Sequence, residues 1–408
     1  MVCRMCKSDG LTPFLDLGFT PPADRFLRKE QLREPEVHYP LVVMLCASCG
    51  QVQLGHVVSP EVLYRQDYPY EASLTKTGQR HWAEFARTVS ERMRLGAADL
   101  VVDIGSNVGV LLAAFRDHGA RILGVDPASN IVRIAERGGI ETVNEFFGLE
   151  VARGIRETRG PATVITGTNV FAHIDDLDDV LRGVDVLLGE RGILVIEAPY
   201  LVHLIKNLEY DTIYHEHLSY LSIRPLTALF SRFGFEIFDV ERRDIHGGSI
   251  RIYIGRAGRL PIGAAVDACL REEAEAGVHT LPVLQEFAQA VRCNRQDLQW
   301  LVRSLKQQGR RLVGVSAPAK GMTLLNYCHL GPETLDFVTE KSTLKIGRYT
   351  PGLHVPVVPD EALLSERPDY ALLLAWNFAD EIMANLHAYR QAGGKFIIPI
   401  PVPRVVDA

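Results

Sequence analysis

No apolar run in the 408 residues approaches the ~18 needed to span a membrane. The first ten residues, MVCRMCKSDG, hold no apolar segment, so a secretory leader is not expected and the cytoplasm is the expected compartment. Basic charge is not in excess either. Lys and Arg number 44 against 50 Asp and Glu, a formal charge of −6, and such a chain lacks the footprint of a general nucleic-acid or anionic-membrane binder. Internal repeats and low-complexity tracts are also missing. What remains, 47% hydrophobic and 23% charged residues, is an ordinary globular composition, which excludes disordered, collagen-like and rod-like chains. At about 150 residues per domain, the length argues for two or three domains.

Cysteine is sparse but patterned. Of seven, four form the pairs Cys3-x-x-Cys6 and Cys46-x-x-Cys49, separated by 39 residues; Cys269, Cys293 and Cys328 are single. Disulfides are not expected in a reducing compartment. Two short loops that each offer two thiolates match tetrahedral Zn(II), and four thiolates leave no open position, so the metal is expected to be structural. A redox Cys-x-x-Cys beside a coincidental pair is the bland alternative. A three-strand module this small needs such a staple.

Residues 1 to about 75 read as that module, with a strand over residues 39–45. Helical spacing over residues 77–95 places Trp82, Phe85, Val89 and Met93 on one face. Short apolar runs at 100–104, 122–125, 164–166 and 193–197 then alternate with helix-like segments, which predicts a parallel sheet covered on both faces. The runs 235–240 and 249–255 leave no room for a helix between them and predict an antiparallel pair closing that sheet. A long helix-rich stretch, about 264–308, leads to further strands at 312–315, 335–338, 370–375 and 395–400. The expected domains are 1–75, 76–258 and 259–408, the last a smaller α/β unit.

The first run of the central region opens into Asp103-Ile104-Gly105-Ser106-Asn107-Val108-Gly109, where glycine permits strained dihedrals and close ligand approach. Asp126 follows Asp103 by 23 residues at the end of the next strand, where a carboxylate binds ribose hydroxyls. Dinucleotides and S-adenosylmethionine both use this arrangement. Asn107 replaces the second glycine of the dinucleotide fingerprint, and an acid beside the loop repels pyrophosphate, so S-adenosylmethionine is the favoured reading and NAD the alternative. Asn169 and Phe171, past the third strand, are candidates for the methionine and adenine surroundings. His173 beside them fits a cap or core histidine as well as a cofactor contact.

The densest chemistry is Tyr210-Asp211-Thr212-Ile213-Tyr214-His215-Glu216-His217-Leu218-Ser219-Tyr220. His-Glu-His lacks the spacing of a zinc protease. In an extended stretch, Tyr214 and Glu216 share one face and His215 and His217 the other. A histidine with an acid nearby is the usual general base near neutral pH, and a hydrogen-bonded structural cluster is the alternative. His246-Gly247-Gly248-Ser249-Ile250-Arg251 reads either as a polar ligand-binding cluster or as a hairpin turn.

Taken in order, the paired Cys-x-x-Cys, Asp-Ile-Gly-Ser-Asn, Tyr-His-Glu-His-Leu-Ser-Tyr, His-Gly-Gly-Ser-Ile-Arg and Ala-Pro-Ala-Lys-Gly segments resemble the sugar C-methyltransferases over essentially the whole chain. The resemblance implies an α/β protein with a class I methyltransferase-like (Rossmann-like) central domain, a zinc module before it and a C-terminal α/β domain that helps bind a nucleotide sugar. It implies S-adenosylmethionine as cofactor and a nucleotide-linked 4-keto-deoxysugar, dTDP being the expected carrier, methylated at C3 in branched deoxysugar biosynthesis. Methylation at C5 or on oxygen, and a NAD-dependent oxidoreductase on the same sugars, are the alternatives. By the same resemblance His217 is the base, with Tyr214, Glu216 and Tyr70 (or Tyr68) around the sugar. Lys320 and Gly321 are then expected at the nucleotide phosphates, Tyr349 near them, and His246, Ser249 and Arg251 at the substrate. Val108 departs from the family, where many members carry an acid.

Overall fold

The computed structural model describes residues 1–65, 76–245 and 247–406. Three sheets organise it. The N-terminal sheet runs β1 (Leu11–Thr20), β2 (Tyr39–Cys46) and β3 (Val52–Leu54), antiparallel throughout. Leu15 and Leu17 on β1 and Leu41, Val43 and Leu45 on β2 alternate inward, the period expected of a half-buried sheet. The strand expected over 39–45 is therefore present, one residue longer.

The expected three-strand module is corrected in one respect: its sheet has a fourth strand supplied from far along the chain. Among the described central strands β4 (Leu100–Ile104), β5 (Arg121–Val125), β6 (Thr142–Val143), β7 (Ala162–Thr168), β8 (Leu188–Pro199), β9 (Ser219–Tyr220), β10 (Phe235–Arg243) and β11 (Ser249–Arg256), β9 leaves the others and pairs with β3 through Val52↔Tyr220 and Gln53↔Ser219. An unpaired β3 edge would leave buried backbone donors and acceptors unsatisfied, and β9 satisfies them. Arg4, 4% exposed, locks the junction by donating to the carbonyls of Leu54 (3.0 Å) and Leu218 (3.2 Å).

The central sheet has the order β10-β11-β8-β7-β4-β5-β6. β8, β7, β4, β5 and β6 are parallel, and the hairpin β10–β11 adds antiparallel to β8, as the spacing predicted. Helix Lys76–Met93 lays Trp82, Phe85 and Val89 on this sheet, with Met93 at the margin. Full burial of such side chains contributes roughly 1.5–3 kcal/mol each before entropy is charged.

Helix Leu281–Gln307 buries Leu284, Phe287, Ala288, Val291, Leu298, Val302 and Leu305 at helical spacing. It leads into the third sheet of β12 (Leu312–Val315), β13 (Val338–Glu340), β14 (Val357–Pro359), β15 (Tyr370–Leu373), β16 (Lys395–Ile398) and β17 (Arg404–Val406), in the order β14-β13-β12-β15-β16-β17. β13 starts three residues later than the apolar run at Leu335 suggests, because Leu335 is buried in the preceding loop rather than on the ladder. Among the described residues no helix is long and apolar enough to cross a membrane.

Candidate active site

At the N-terminus, Cys3, Cys6, Cys46 and Cys49 bring their sulfurs within 4.8 Å of one another. The Cys3–Cys49 and Cys6–Cys46 separations are both 3.6 Å. A tetrahedron with Zn–S bonds of about 2.3 Å has S···S edges of about 3.8 Å, so the donor set fits that metal.

The turn after β4 is laced to the tip of β5. Asp126 accepts the backbone N–H of Asn107 on one oxygen and of Ala128 on the other, each at 2.9 Å, leaving one lone pair on each oxygen. Gly105 has φ +67°, and a Cβ there would meet a Val170 methyl at 2.8 Å, so no larger residue fits beneath that side chain. Asn107 (φ 50°) and Gly109 (φ 80°) continue the left-handed turn. Among the described residues the buried Ser106 hydroxyl has no hydrogen-bond partner, which leaves it a donor for a ligand at this cradle. Asp103 is held by the Thr166 hydroxyl at 2.6 Å, and burial pushes its carboxyl up to about 7 against that bond. These groups suit the ribose and amino-acid ends of S-adenosylmethionine.

Past β7, Asn169 adopts φ 54° and donates its backbone N–H to Glu197 at 2.7 Å. Phe171 is 1% exposed and packs on Gly167, so its ring belongs to the core and offers no open face to an adenine. Val170, not singled out from the sequence, is the residue over the glycine turn.

The 210–217 segment is a short 3-10 turn (Tyr210–Thr212) followed by a tight turn, not an extended stretch. The expected alternation of faces is therefore corrected. The backbone N–H of His217 donates to the Tyr214 carbonyl at 2.9 Å, which folds residues i and i+3 onto one side. The Tyr214 hydroxyl lies 2.8 Å from His217 Nε2, and Nδ1 lies 2.7 Å from the Thr212 carbonyl. A carbonyl only accepts, so Nδ1 carries the proton and Nε2 presents the lone pair. His215 turns the other way: 1% exposed, it bonds the Tyr39 carbonyl at 3.3 Å, and burial draws it down to about 4. Its role is to seat the segment on β2.

His173 comes to this cluster although its sequence context did not decide its role. Its ring centre is 4.9 Å from that of His217, Nδ1 is 3.2 Å from the Tyr64 hydroxyl, and among the described residues the buried Nε2 has no partner. Burial, aided by His217, holds it well below the usual histidine range, so it is neutral. Tyr64 also reaches the Glu216 carbonyl, at 3.4 Å. Neither contact has a signature in the linear sequence, because the residues lie on different elements. Glu216 itself is buried, and desolvation followed by the charge of Asp24 pushes it up to about 8.

The remaining candidates divide. Lys320 approaches the segment: its ammonium is 3.9 Å from the Asp211 carboxylate and 4.7 Å from the centre of the Trp376 ring, whose Nε1 donates to Asp211 at 2.7 Å. Its charge is thus committed within the protein, while burial draws its ammonium below the ordinary lysine value. At Gly321 a Cβ would meet Leu374 at 2.7 Å, so that glycine permits close helix–strand packing. Tyr349 exchanges backbone hydrogen bonds with Leu27, tying the first module to the last sheet. Ser249 donates to the Ile245 carbonyl at 3.0 Å. Arg251 does not join the His217 cluster. Its side chain is fully buried, its Nε donates to Glu197 at 2.8 Å, and its guanidinium sits 4.0 Å over the Phe85 ring. His81 on helix Lys76–Met93 takes the other Glu197 oxygen. Tyr70, the alternative Tyr68, and His246 lie outside the described residues.

Comparisons with known proteins match three family models along the chain: "Putative zinc binding domain" over residues 3–64, "Methyltransferase domain" over 76–240 and "C-methyltransferase C-terminal domain" over 244–401. C-methyltransferase NovU of Streptomyces niveus is 39% identical over 407 residues, covering 100% of this chain and 97% of the relative. Among solved structures, magnesium protoporphyrin IX methyltransferase of Synechocystis PCC 6803 with bound SAH aligns at TM-score 0.36 and 13% identity, over 46% of this chain and 90% of that one. An S-adenosylmethionine-dependent methyltransferase of Clostridium acetobutylicum ATCC 824 aligns at TM-score 0.36 and 14% identity, over 46% and 94%.

Proposed function

Since this chain belongs to the S-adenosylmethionine-dependent C-methyltransferases, we propose that its substrate is a nucleotide-linked 4-keto-deoxysugar, dTDP-linked, methylated at C3 in branched deoxysugar biosynthesis. The family excludes the nicotinamide and oxygen-methylation alternatives. The observation that carries the reading is the Thr212–His217–Tyr214 chain: an imidazole with one nitrogen fixed as donor and the other facing a phenol.

Carbon methylation needs a carbon nucleophile, and an sp³ ring carbon has no lone pair. A 4-keto group acidifies the C3 proton, so the protein needs a base and a donor for the developing oxyanion. His217 Nε2 is the acceptor of the C3 proton, and the Nδ1–H bond to the Thr212 carbonyl stabilises the imidazolium that results. For this the Tyr214 hydroxyl turns from Nε2 to the C4 oxygen of the substrate, which frees the Nε2 lone pair for the C3 proton and gives the developing enolate oxygen a donor, with Tyr70 as a second. Neutral His173 and Tyr64 close the other side of the cluster and exclude water. Asp126, with Asp103 and Ser106, holds the cofactor, with Gly105, Asn107, Gly109 and Asn169 shaping the backbone around it; when bound, it supplies an electrophilic methyl group. Lys320, with Gly321, Tyr349, His246 and Ser249, is assigned to the substrate side, Lys320 reaching the nucleotide by exchanging Asp211 for a phosphate oxygen. Zinc held by the four cysteines is structural, fixing the module whose sheet captures β9.

The test is incubation with dTDP- and GDP-linked 4-keto sugars and S-adenosylmethionine, reading product mass and the position of the new carbon by NMR. Solvent deuterium at C3 without cofactor is expected in wild type and lost in His217→Asn. A methyl at C5, or exchange that survives His217→Asn, overturns the assignment.

A further inference from the structure

Residues 210–213, buried throughout, stand immediately before the Tyr214–His217 pair, and the C-terminal part of the chain pins three of the four. The Tyr210 hydroxyl donates to Asn294 Oδ1 on helix Leu281–Gln307 at 2.8 Å. Trp376, in the 3-10 turn that follows β15, donates its indole N–H to Asp211 Oδ2 at 2.7 Å. Thr323, on helix Ala319–Cys328, is buried and donates its hydroxyl to the Ile213 carbonyl at 3.1 Å. Between the last two anchors lies Thr212, whose carbonyl faces His217 Nδ1 at 2.7 Å. Only the φ of −88° and ψ of 102° at Ile213 separate that carbonyl from the one Thr323 holds.

A neutral imidazole has two tautomers, and its two hydrogen bonds select between them. The Tyr214 hydroxyl at Nε2 both donates and accepts, so it is compatible with either form. The Thr212 carbonyl only accepts, so it is the group that discriminates, and its aim decides whether Nε2 offers a lone pair or a proton. We propose that Trp376 and Thr323 are positioning residues which, by pinning Asp211 and Ile213, hold the Thr212 carbonyl on His217 Nδ1 and so set the tautomer of the base. The inference rests on the reading of His217 given above and deepens it. Lys320, assigned to the nucleotide, sits three residues before Thr323 on one helix and contacts Asp211 as well, so the element that receives the nucleotide also orients the base.

Nitrogen-15 NMR of the ligand-free full-length protein, labelled at histidine and held at about pH 8.5, where an ordinary imidazole is neutral, reads the tautomer apart from any substrate. His217→Asn identifies the signal. Wild type is expected to carry the proton on Nδ1. Trp376→Phe and Thr323→Val keep the ring and the shape but lose the donor. In each, the ratio of the Nδ1–H to the Nε2–H form is expected to fall roughly two- to tenfold, the worth of one hydrogen bond. Thr323→Ser, which keeps the hydroxyl, is expected to restore the wild-type spectrum. A proton on Nε2 in wild type, or an unchanged ratio in either folded variant, overturns the inference. Should Trp376→Phe not fold, Thr323→Val and Thr323→Ser decide by the same criterion. Deuterium exchange at C3 that survives His217→Asn, with the spectra as expected, would fault the base assignment alone.

Discussion

The Tyr214 hydroxyl faces His217 Nε2 at 2.8 Å while the opposite ring nitrogen is held 2.7 Å from the Thr212 carbonyl, so three residues within six positions share one hydrogen-bonded line. The line exists because the turn at 214–217 brings i and i+3 together. Removing either side chain breaks the bond between them.

Tyr214→Phe and His217→Asn are each expected to lower the rate of methyl transfer by roughly 10²–10⁴, the usual worth of a positioned acid–base group. The double variant is expected to be little worse than the more damaging single one, since groups that act as a unit are not additive. Single-turnover assays at saturating cofactor check this. Additive losses would show that the two act separately.

The raised carboxyl of Glu216 also has a stability consequence. Its folded-state value, about 8, exceeds the ordinary 4.5, so between those pH values the folded chain binds more protons than the unfolded one. Stability from this group is therefore full below about 4.5 and declines as pH rises towards about 8. Replacing Glu216 with Gln is expected to raise the melting temperature at pH 8 relative to wild type by more than it does at pH 5. Thermal denaturation at the two pH values reads the difference, and an equal effect at both contradicts it.

Each of Cys3→Ser, Cys6→Ser, Cys46→Ser and Cys49→Ser is expected to abolish stoichiometric zinc and lower the melting temperature, because metal binding is folding free energy for the module. Cys293→Ser, exposed and outside the cluster, is expected to leave both unchanged. Metal analysis by mass spectrometry checks the stoichiometry at one zinc per chain. Metal-free protein of unchanged melting temperature would exclude a structural zinc.

Arg251→Met leaves Glu197 buried without its guanidinium and is expected to cost about 3–5 kcal/mol of stability. Arg251→Met combined with Glu197→Gln is expected to recover part of that loss. Urea unfolding measures both. A variant of wild-type stability with a raised KM for the sugar would return Arg251 to the substrate-binding role expected from sequence.

Much of the fold is legible in the chain because period and burial agree locally. The runs at 100–104 and 312–315 are strands with those bounds, and the absence of helix room between 240 and 249 makes β10–β11 antiparallel. β14 and β17 escape such reading, since three-residue strands carry too little pattern to stand out. β9 escapes for another reason: its two residues form a strand only because β3 offers them an unpaired edge. At the site, the tyrosine and histidines of 214–217 stand out by density, but their facing does not. Arg251 was expected at the substrate on motif alone, and only its neighbours Glu197, Glu84 and Phe85 show where its charge is spent.

The sequence by itself determined the four-thiolate knuckle, the parallel sheet with its glycine turn, and the chemical types gathered near His217. These depend on spacing along the chain, which short-range geometry translates directly. Tertiary structure alone decided which nitrogen of His217 carries the proton, that His173 and Tyr64 join it, and that Lys345 pairs with Asp24. Apart from the local bond to Thr212, those are contacts between residues far apart in the chain, and a hydrogen bond or ion pair at 3 Å has no trace in sequence until packing creates it.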